Sequence, residues 1–324
     1  MAGGTMDIWP LYLYHAGAVT VNFAIDRYAS CVVKARRDRK IVLRSRDLGH
    51  DEVFASLHAL RSTERYQHPI PARIVRYFAP DGGLTITTHS EAPAGAGISG
   101  SSALMIALAS AMNHFNGGPL LAAEKVREIA QNVESQVIRV PTGCQDYYPA
   151  LYGGINALEL TAGGVLRKPI AIDLEDLNQR MVLAYSGAPR NSAINNWEVM
   201  KAHVDGDRTV RRHFDGIAAI ATAMRQALEL KDWHETARLL REEWAHRRKN
   251  APGISTPLID RLVKVTRRAG ATGAKVCGAG GGGCVFFLVE PGAGQRVASA
   301  IEREGAQVLP VRVAPRGVQV RAVA

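Results

Sequence analysis

The sequence predicts an α+β chain folded as two lobes, and three observations predict it. The opening third is rich in short alternating apolar runs. A block of long amphipathic helical stretches fills residues 197–269. The closing segment then reads strand, glycine loop, strand, helix, strand and strand, an order with split βαβ character. With 324 residues the chain is long enough for two ordinary domains. We place them at 1–180 and 181–324, divided just before the apolar run Met181-Val182-Leu183-Ala184-Tyr185.

Taken in order, residues 17–34 read as strands. Ala18-Val19-Thr20-Val21-Asn22-Phe23-Ala24-Ile25 alternates, and 28–34 continues it around Cys31-Val32-Val33. Residues 40–45 add a third run, giving an antiparallel opening. Segments 51–60 and 70–78 look helical, and 84–88 is a strand that ends at a glycine loop. Residues 102–116 form the clearest helix: a serine start to cap free N–H groups, an Ala/Leu/Met/Ile body, and a stop at Asn116-Gly117-Gly118. Helix 122–137 follows, then a helical turn at 147–152 and strands at 154–160 and 165–170. The second lobe starts with strand 181–185. Helices are expected at 197–204, 210–230, 233–248 and 257–269. Strands 274–277 and 284–289, helix 294–304 and strands 307–313 and 318–323 complete it.

Composition narrows the function. Hydrophobic residues make up 47% and charged residues 22%, the balance of an ordinary globular protein. No apolar run is long enough to span a bilayer and no basic stretch precedes an apolar core at the start, so no membrane role and a cytoplasmic location are expected. Cys31, Cys144, Cys277 and Cys284 form no CxxC pair and read as structural thiols rather than a zinc site. The net charge is +10, but the basic residues are dispersed among acids and only 6% of residues are aromatic. That pattern argues against nucleic acid and for a surface that attracts anionic small molecules.

Two glycine-rich loops carry the chemistry. The first is Pro93-Ala94-Gly95-Ala96-Gly97-Ile98-Ser99-Gly100-Ser101-Ser102-Ala103, set where a strand feeds a helix. Glycines let backbone N–H groups approach a ligand, and a helix start adds partial positive charge, so such a loop holds phosphates. Ser101 or Ser102 then offers oxygen to a phosphate or to Mg²⁺. The plain alternative is a glycine-rich turn with a serine cap. No Gly-Lys-Ser/Thr follows, so this is not a Walker loop. The second loop, Gly278-Ala279-Gly280-Gly281-Gly282-Gly283, has almost no side chains. Its value must lie in backbone approach, although a long hairpin connection would also use glycine.

Glu134 and Asp146 are the carboxylates singled out. By spacing alone an acid at a helix start is a cap, and that reading yields only because phosphoryl transfer needs a metal ligand and a carboxylate near the acceptor hydroxyl. Gly3-Gly4-Thr5-Met6-Asp7 is a short polar turn. Arg190, in Tyr185-Ser186-Gly187-Ala188-Pro189-Arg190-Asn191-Ser192, can grip a phosphate or carboxylate as a planar fork or form a surface ion pair.

Together these segments resemble the GHMP kinases, the family of galactokinase, homoserine kinase and mevalonate kinase. Residues 93–103 are similar to that family's phosphate loop with one extra residue, and 275–287 to its glycine-rich third motif. The Gly3–Asp7 turn (with Met6 interposed), the 185–192 stretch, and Glu243-Trp244-Ala245-His246-Arg247-Arg248 with Gly253-Ile254-Ser255 resemble the branch of sugar-1-kinases acting on heptose 7-phosphate. The resemblance implies a two-lobed fold, with an N-lobe like the second domain of ribosomal protein S5 and a ferredoxin-like C-lobe. It implies ATP- and Mg²⁺-dependent transfer to a sugar hydroxyl, the anomeric one of a heptose 7-phosphate. Residue by residue, Pro93, Gly95, Gly97, Ser99, Gly100, Ser101 and Ser102 would surround the ATP phosphates, and Ser102 and Glu134 would bind Mg²⁺. Asp146 would lie beside the acceptor hydroxyl as base or orienter. Thr5, Asp7, Gly280 and Gly281 would face the sugar, and Arg190 its distal phosphate.

The alternatives are a kinase of fucose, galactose or mevalonate type, or a sugar and ATP sensor without turnover. Family members begin with a strand carrying an Arg before the sugar turn, whereas this chain begins at the turn. The expectation is therefore that the start lies upstream, or that an edge strand and a basic neighbour for Asp146 are lacking.

Overall fold

The computed structural model describes residues 1–188 and 192–322, with 192–195 described as helix backbone only. In chain order the elements are β1 (Val19–Phe23), β2 (Ala29–Arg36), β3 (Ile41–Ser45), β4 (His50–Phe54), α1 (Leu57–Ser62), α2 (Pro69–Phe78), β5 (Gly83–Ser90) and α3 (Gly100–Phe115). Next come α4 (Ala123–Ile138), α5 (Tyr147–Tyr152), β6 (Ile155–Thr161), β7 (Gly164–Pro169), α6 (Leu174–Asn178) and β8 (Met181–Tyr185). The remainder is α7 (Ser192–Val204), α8 (Arg208–Glu229), α9 (Trp233–Arg247), α10 (Pro257–Ala269), β9 (Ala271–Val276), β10 (Cys284–Val289), α11 (Gly294–Arg303) and β11 (Gln307–Leu309).

Three sheets result, ordered β1-β6-β7, β2-β5-β3-β4 and β11-β8-β10-β9. The third is antiparallel throughout and is drawn wholly from residues after 180, and its order is that of a ferredoxin-like βαββαβ unit. The opening is not purely antiparallel, because β3 runs parallel to β5.

Local chemistry explains the long helices. The carboxylates of Asp207 and Asp232 accept from the first free N–H groups of α8 and α9, and Thr256 caps α10 ahead of a proline in its first turn. Gly270 ends α10 with a left-handed backbone, φ 112°. Three expectations are corrected. Residues 51–60 are not one helix: His50–Phe54 pairs with β3 as a hairpin, and only after the Ser56 cap does α1 begin. The segment 307–313 is a strand only at Gln307–Leu309, with Val313 making an isolated bridge to Ile25. Residues 318–322 form no strand; the Val318 N–H donates to the Ala150 carbonyl at the end of α5.

The core shows how the lobes join. In β10 every residue is buried, and alternation sends the two sets of side chains to different cores. Val285, Phe287 and Val289 pack with Ile259, Leu262, Val297 and Ile301 of α10 and α11. Cys284, Phe286 and Leu288 pack the other way, with Val19, Val21 and Ile155 of the first sheet and Met224 and Leu240 of α8 and α9. A separate core fills the space between β3, β5 and helices α2, α3 and α4. The shared apolar layer makes the contact between the lobes a packed one, and the site lies where β1, α3, α5, α9 and β9 approach each other.

Candidate active site

The serine loop is shaped by its backbone. Gly95, Gly97 and Ser99 adopt left-handed φ of 70°, 78° and 63°, and the Ala96 N–H closes a turn onto the Pro93 carbonyl. The first helical bond of α3 runs from the Ala103 N–H to the Ser99 carbonyl at 2.9 Å, so the amides of Gly100, Ser101 and Ser102 precede it and are available to an anion. The expected serine cap is corrected here: Ser99 is the cap residue and its side chain makes no capping bond. Ser101 and Ser102 instead lie in the first turn, where both hydroxyls donate to Glu134 of α4, at 2.6 Å to Oε1 and 3.0 Å to Oε2. The Tyr147 hydroxyl also donates to Glu134 Oε2. Burial first, and then the Glu134 charge, push the Tyr147 pKa upward and keep it a neutral donor.

Glu134 is only 6% exposed. One buried carboxylate with two hydroxyls is an oxygen-only set. It fits Mg²⁺, which takes the rest of its shell from phosphate and water. Among the described residues there is no cluster of three or more His, Cys, Asp or Glu side chains for a metal, so such an ion would depend on phosphate oxygens.

The second half of the site begins at the turn 3–7. Thr5 has a left-handed φ of 68°, a costly state for a β-branched residue. The reversal sends Met6 into the core beside Leu11, Tyr148 and Phe214, which accounts for the interposed residue. Asp7, 2% exposed, accepts from the Gln145 backbone N–H at 2.8 Å and from its side-chain amide at 3.1 Å. Glycine is required at 143, because a Cβ there would stand 2.0 Å from Asp7 Oδ2. Burial raises the Asp7 carboxyl to about 7, the Asp146 charge pushes the same way, and the Gln145 N–H and Arg247 oppose them.

Asp146 occupies the N-cap position of α5, yet its side chain makes no capping bond. It lines both hollows of the site. One is a cavity of about 200 Å³ that also takes in Thr5, Asp7, Gly97, Ser99 and Gln145. The other is a groove of about 1230 Å³ running along β2 and α3, which shares Ile98, Ser99 and Asp146 with the first. Asp146 thus shares the smaller cavity with the threonine turn and with Gly97, Ile98 and Ser99 of the serine loop.

The second glycine loop joins the first directly: the Cys284 N–H donates to the Ala96 carbonyl at 2.6 Å. Gly278 and Ala279 line the cavity. Gly280 and Gly281 do not, and the Gly281 N–H is taken by the Ile254 carbonyl at 2.9 Å. Arg190 lies outside the described residues.

Sequence reasoning gave no role to four residues, although Glu243 and Arg247 lie in a segment that carries the family resemblance. Gln145 positions Asp7. From the C-lobe, Arg247 of α9 and Lys275 of β9 line the cavity, and Glu243, wholly buried, receives both cations. Burial opposes the Glu243 charge, but Arg247 and Lys275 hold its pKa at about 2. Burial first, and then Arg247, lower Lys275 to about 8. The signal was available in the sequence: a Glu and an Arg four apart beside Trp244, and a lone Lys inside an apolar strand.

The domain described as "GHMP kinases N terminal domain" matches residues 67–154, and "GHMP kinases C terminal" matches residues 224–307. A D-glycero-alpha-D-manno-heptose 7-phosphate kinase of Campylobacter jejuni is 27% identical over 98% of this chain and 95% of its own length. An L-fucokinase/L-fucose-1-P guanylyltransferase of Bacteroides fragilis is 26% identical over 99% of this chain, which spans 37% of that longer protein. The crystal structure of a D-glycero-D-manno-heptose 1-phosphate kinase from Bacteroides thetaiotaomicron shares the fold, with a TM-score of 0.77 and 23% identity over 99% of this chain and 96% of that one. Matched in both halves and superposing along its length, the chain belongs to the GHMP kinase family, phosphotransferases that move a phosphoryl group from ATP to an alcohol.

Proposed function

We propose that this protein transfers the γ-phosphoryl group of ATP to the anomeric hydroxyl of D-glycero-D-manno-heptose 7-phosphate, giving the 1,7-bisphosphate. The observation that carries the reading is the position of Asp146, which lines one cavity together with Thr5 and Asp7 of the threonine turn and Gly97, Ile98 and Ser99 of the serine loop. The full-length likeness to the Campylobacter heptose 7-phosphate kinase supports the choice of sugar. Residues 1–180 and 181–324 are proposed as the two lobes, and the need for ATP favours the cytoplasm.

In this reading the amides of Gly97, Gly100, Ser101 and Ser102 cradle the phosphates, with Pro93, Gly95 and Ser99 shaping the loop. Ser102 and Glu134 would hold Mg²⁺, which supplies charge neutralisation at the phosphates when bound. Thr5 and Asp7 hold sugar hydroxyls, and Arg190 takes the 7-phosphate. Asp146 accepts or orients the proton of the attacking hydroxyl as the new C–O–P linkage forms and the bond from the γ-phosphorus to the bridging oxygen breaks. Positioning and charge neutralisation do most of the work.

The test is ADP release with Mg-ATP and a panel of heptose 7-phosphate, mannose, fucose, galactose and mevalonate. Turnover on the heptose phosphate alone is expected. Turnover only on a neutral sugar keeps the kinase and removes the role of Arg190. Silence across the panel overturns the reading in favour of a sugar and ATP sensor.

A further inference from the structure

Arg247 reaches the threonine turn from the far lobe, and four of its five donors are spent in a specific way. Nε and Nη2 donate to Glu243 Oε1 at 2.9 and 2.8 Å. Nη2 also donates to the Gly4 carbonyl at 2.6 Å, and Nη1 donates to Thr5 Oγ1 at 3.0 Å. Arg247 is 4% exposed and lines the cavity with Asp7 and Asp146. Glu243 is locked in turn by Lys275, so the fork cannot swing away without leaving a buried carboxylate with one partner fewer. Gly4 fills the gap between Arg247 and Gln145: a Cβ at position 4 would stand 3.0 Å from Arg247 Nη2 and 2.9 Å from Gln145 Nε2.

A guanidinium only donates, so Thr5 Oγ1 must accept from it. Among the described residues the Thr5 hydroxyl donates to no protein acceptor, which leaves its proton for a ligand. Asp7, two residues on, is an acceptor whose oxygens face Gln145. The turn therefore offers a ligand one donor and one acceptor, and the donor is set from the other lobe.

We propose that Arg247 is a positioning and specificity residue for the acceptor sugar: it fixes the Gly4-Thr5 backbone and makes the Thr5 hydroxyl a donor to a sugar oxygen. This rests on reading the turn as the sugar site. The geometry fits a polyol that presents an oxygen acceptor next to a hydroxyl donor, and it makes sugar affinity depend on the two lobes being in register.

The test has two arms. The first needs no substrate: a double-mutant cycle of Thr5→Val and Arg247→Met in urea unfolding. The double variant is expected to lose clearly less than the sum of the singles, and additive losses overturn the bond between the lobes. If Arg247→Met does not fold, Arg247→Lys keeps a charge beside Glu243 and still removes the fork. The second arm measures kinetics on whichever sugar of the panel is turned over. Arg247→Lys and Thr5→Val should each raise the sugar KM about tenfold, with kcat and the ATP KM within about threefold, and the double variant should be no worse than either single. Thr5→Ser, which keeps the hydroxyl, recovers most of the loss. Equal losses in kcat and in both KM values, or no recovery with Ser, overturn the positioning role. If no sugar turns over, the sugar reading fails, and the unfolding cycle still decides the clamp.

Discussion

At the serine loop, Ser101 and Ser102 sit in the first turn of one helix and meet Glu134 of the next, with Tyr147 close behind in sequence. At the threonine turn, Thr5 and Asp7 meet Gln145 from the α5 loop and Arg247 from α9, partners 138 and 242 residues away. The end proposed to hold phosphate is thus a local device of loop and helix start, satisfied largely by neighbours. The end proposed to hold the sugar exists only when the chain has closed on itself, and its Arg247 is paired, with Lys275, to Glu243 in the C-lobe. A donor site common to many kinases can be local; an acceptor site that must be rebuilt for each substrate draws on distant segments.

Asp146 tests that contrast most severely because it belongs to both ends. Asp146→Asn is expected to lower turnover by about 10³-fold while ADP binding, measured by calorimetry, stays near wild type. Wild-type turnover in that variant would sink the assignment. Glu243→Gln comes next, and it should act on folding rather than chemistry. Two buried cations lose their counter-charge, so unfolding in urea should show a loss of about 3–5 kcal/mol. A loss near zero would mean that the sugar end does not lean on the C-lobe charges.

The same contrast decides what could be read from the sequence. The serine loop was legible because glycine spacing and a strand-to-helix transition are local signals, whereas Glu134 and Asp146 stood out only through the phosphoryl transfer that the loop implies. The long helices were legible from their amphipathic patterns, and the structure adds the caps Asp207, Asp232 and Thr256 at their starts. The pairing of Arg247 and Lys275 with Glu243 left a sequence signal, but the reach of Arg247 to Gly4 and Thr5, more than 240 residues away, did not. The failure at 51–60 has a related cause: Val53 and Phe54 suit a helix face, but pairing with Val42 and Ile41 of β3 takes them into a sheet. Residues 318–322 failed in the opposite direction, since an alternating pattern makes a strand only if an edge is available and oriented to receive it.

Gly143→Ala sharpens the comparison at the sugar end alone. A Cβ 2.0 Å from Asp7 Oδ2 must push the carboxylate off its Gln145 donors. A fall of about 10² in kcat/KM for the sugar is expected, with the ATP KM within about twofold. An equal rise in both KM values would show that the two ends are not separable.

The smallest effect expected is a pH dependence confined to the sugar end. Because Asp7 is held at about 7, roughly a tenth of it is ionised at pH 6 and roughly nine-tenths at pH 8. The ionised carboxylate is the better acceptor for a sugar hydroxyl, so the sugar KM should fall about five- to tenfold as the pH rises over that range. Asp146 and Arg247 face Asp7 with opposite charges, and Lys275, at about 8, titrates in the same cavity. Two variants separate these groups. Asp7→Asn should flatten the profile, and Lys275→Met should leave its slope in place. A slope that survives in Asp7→Asn would transfer the effect to Lys275 or to the sugar's own phosphate, and the threonine turn would then bind its hydroxyls through Thr5 alone.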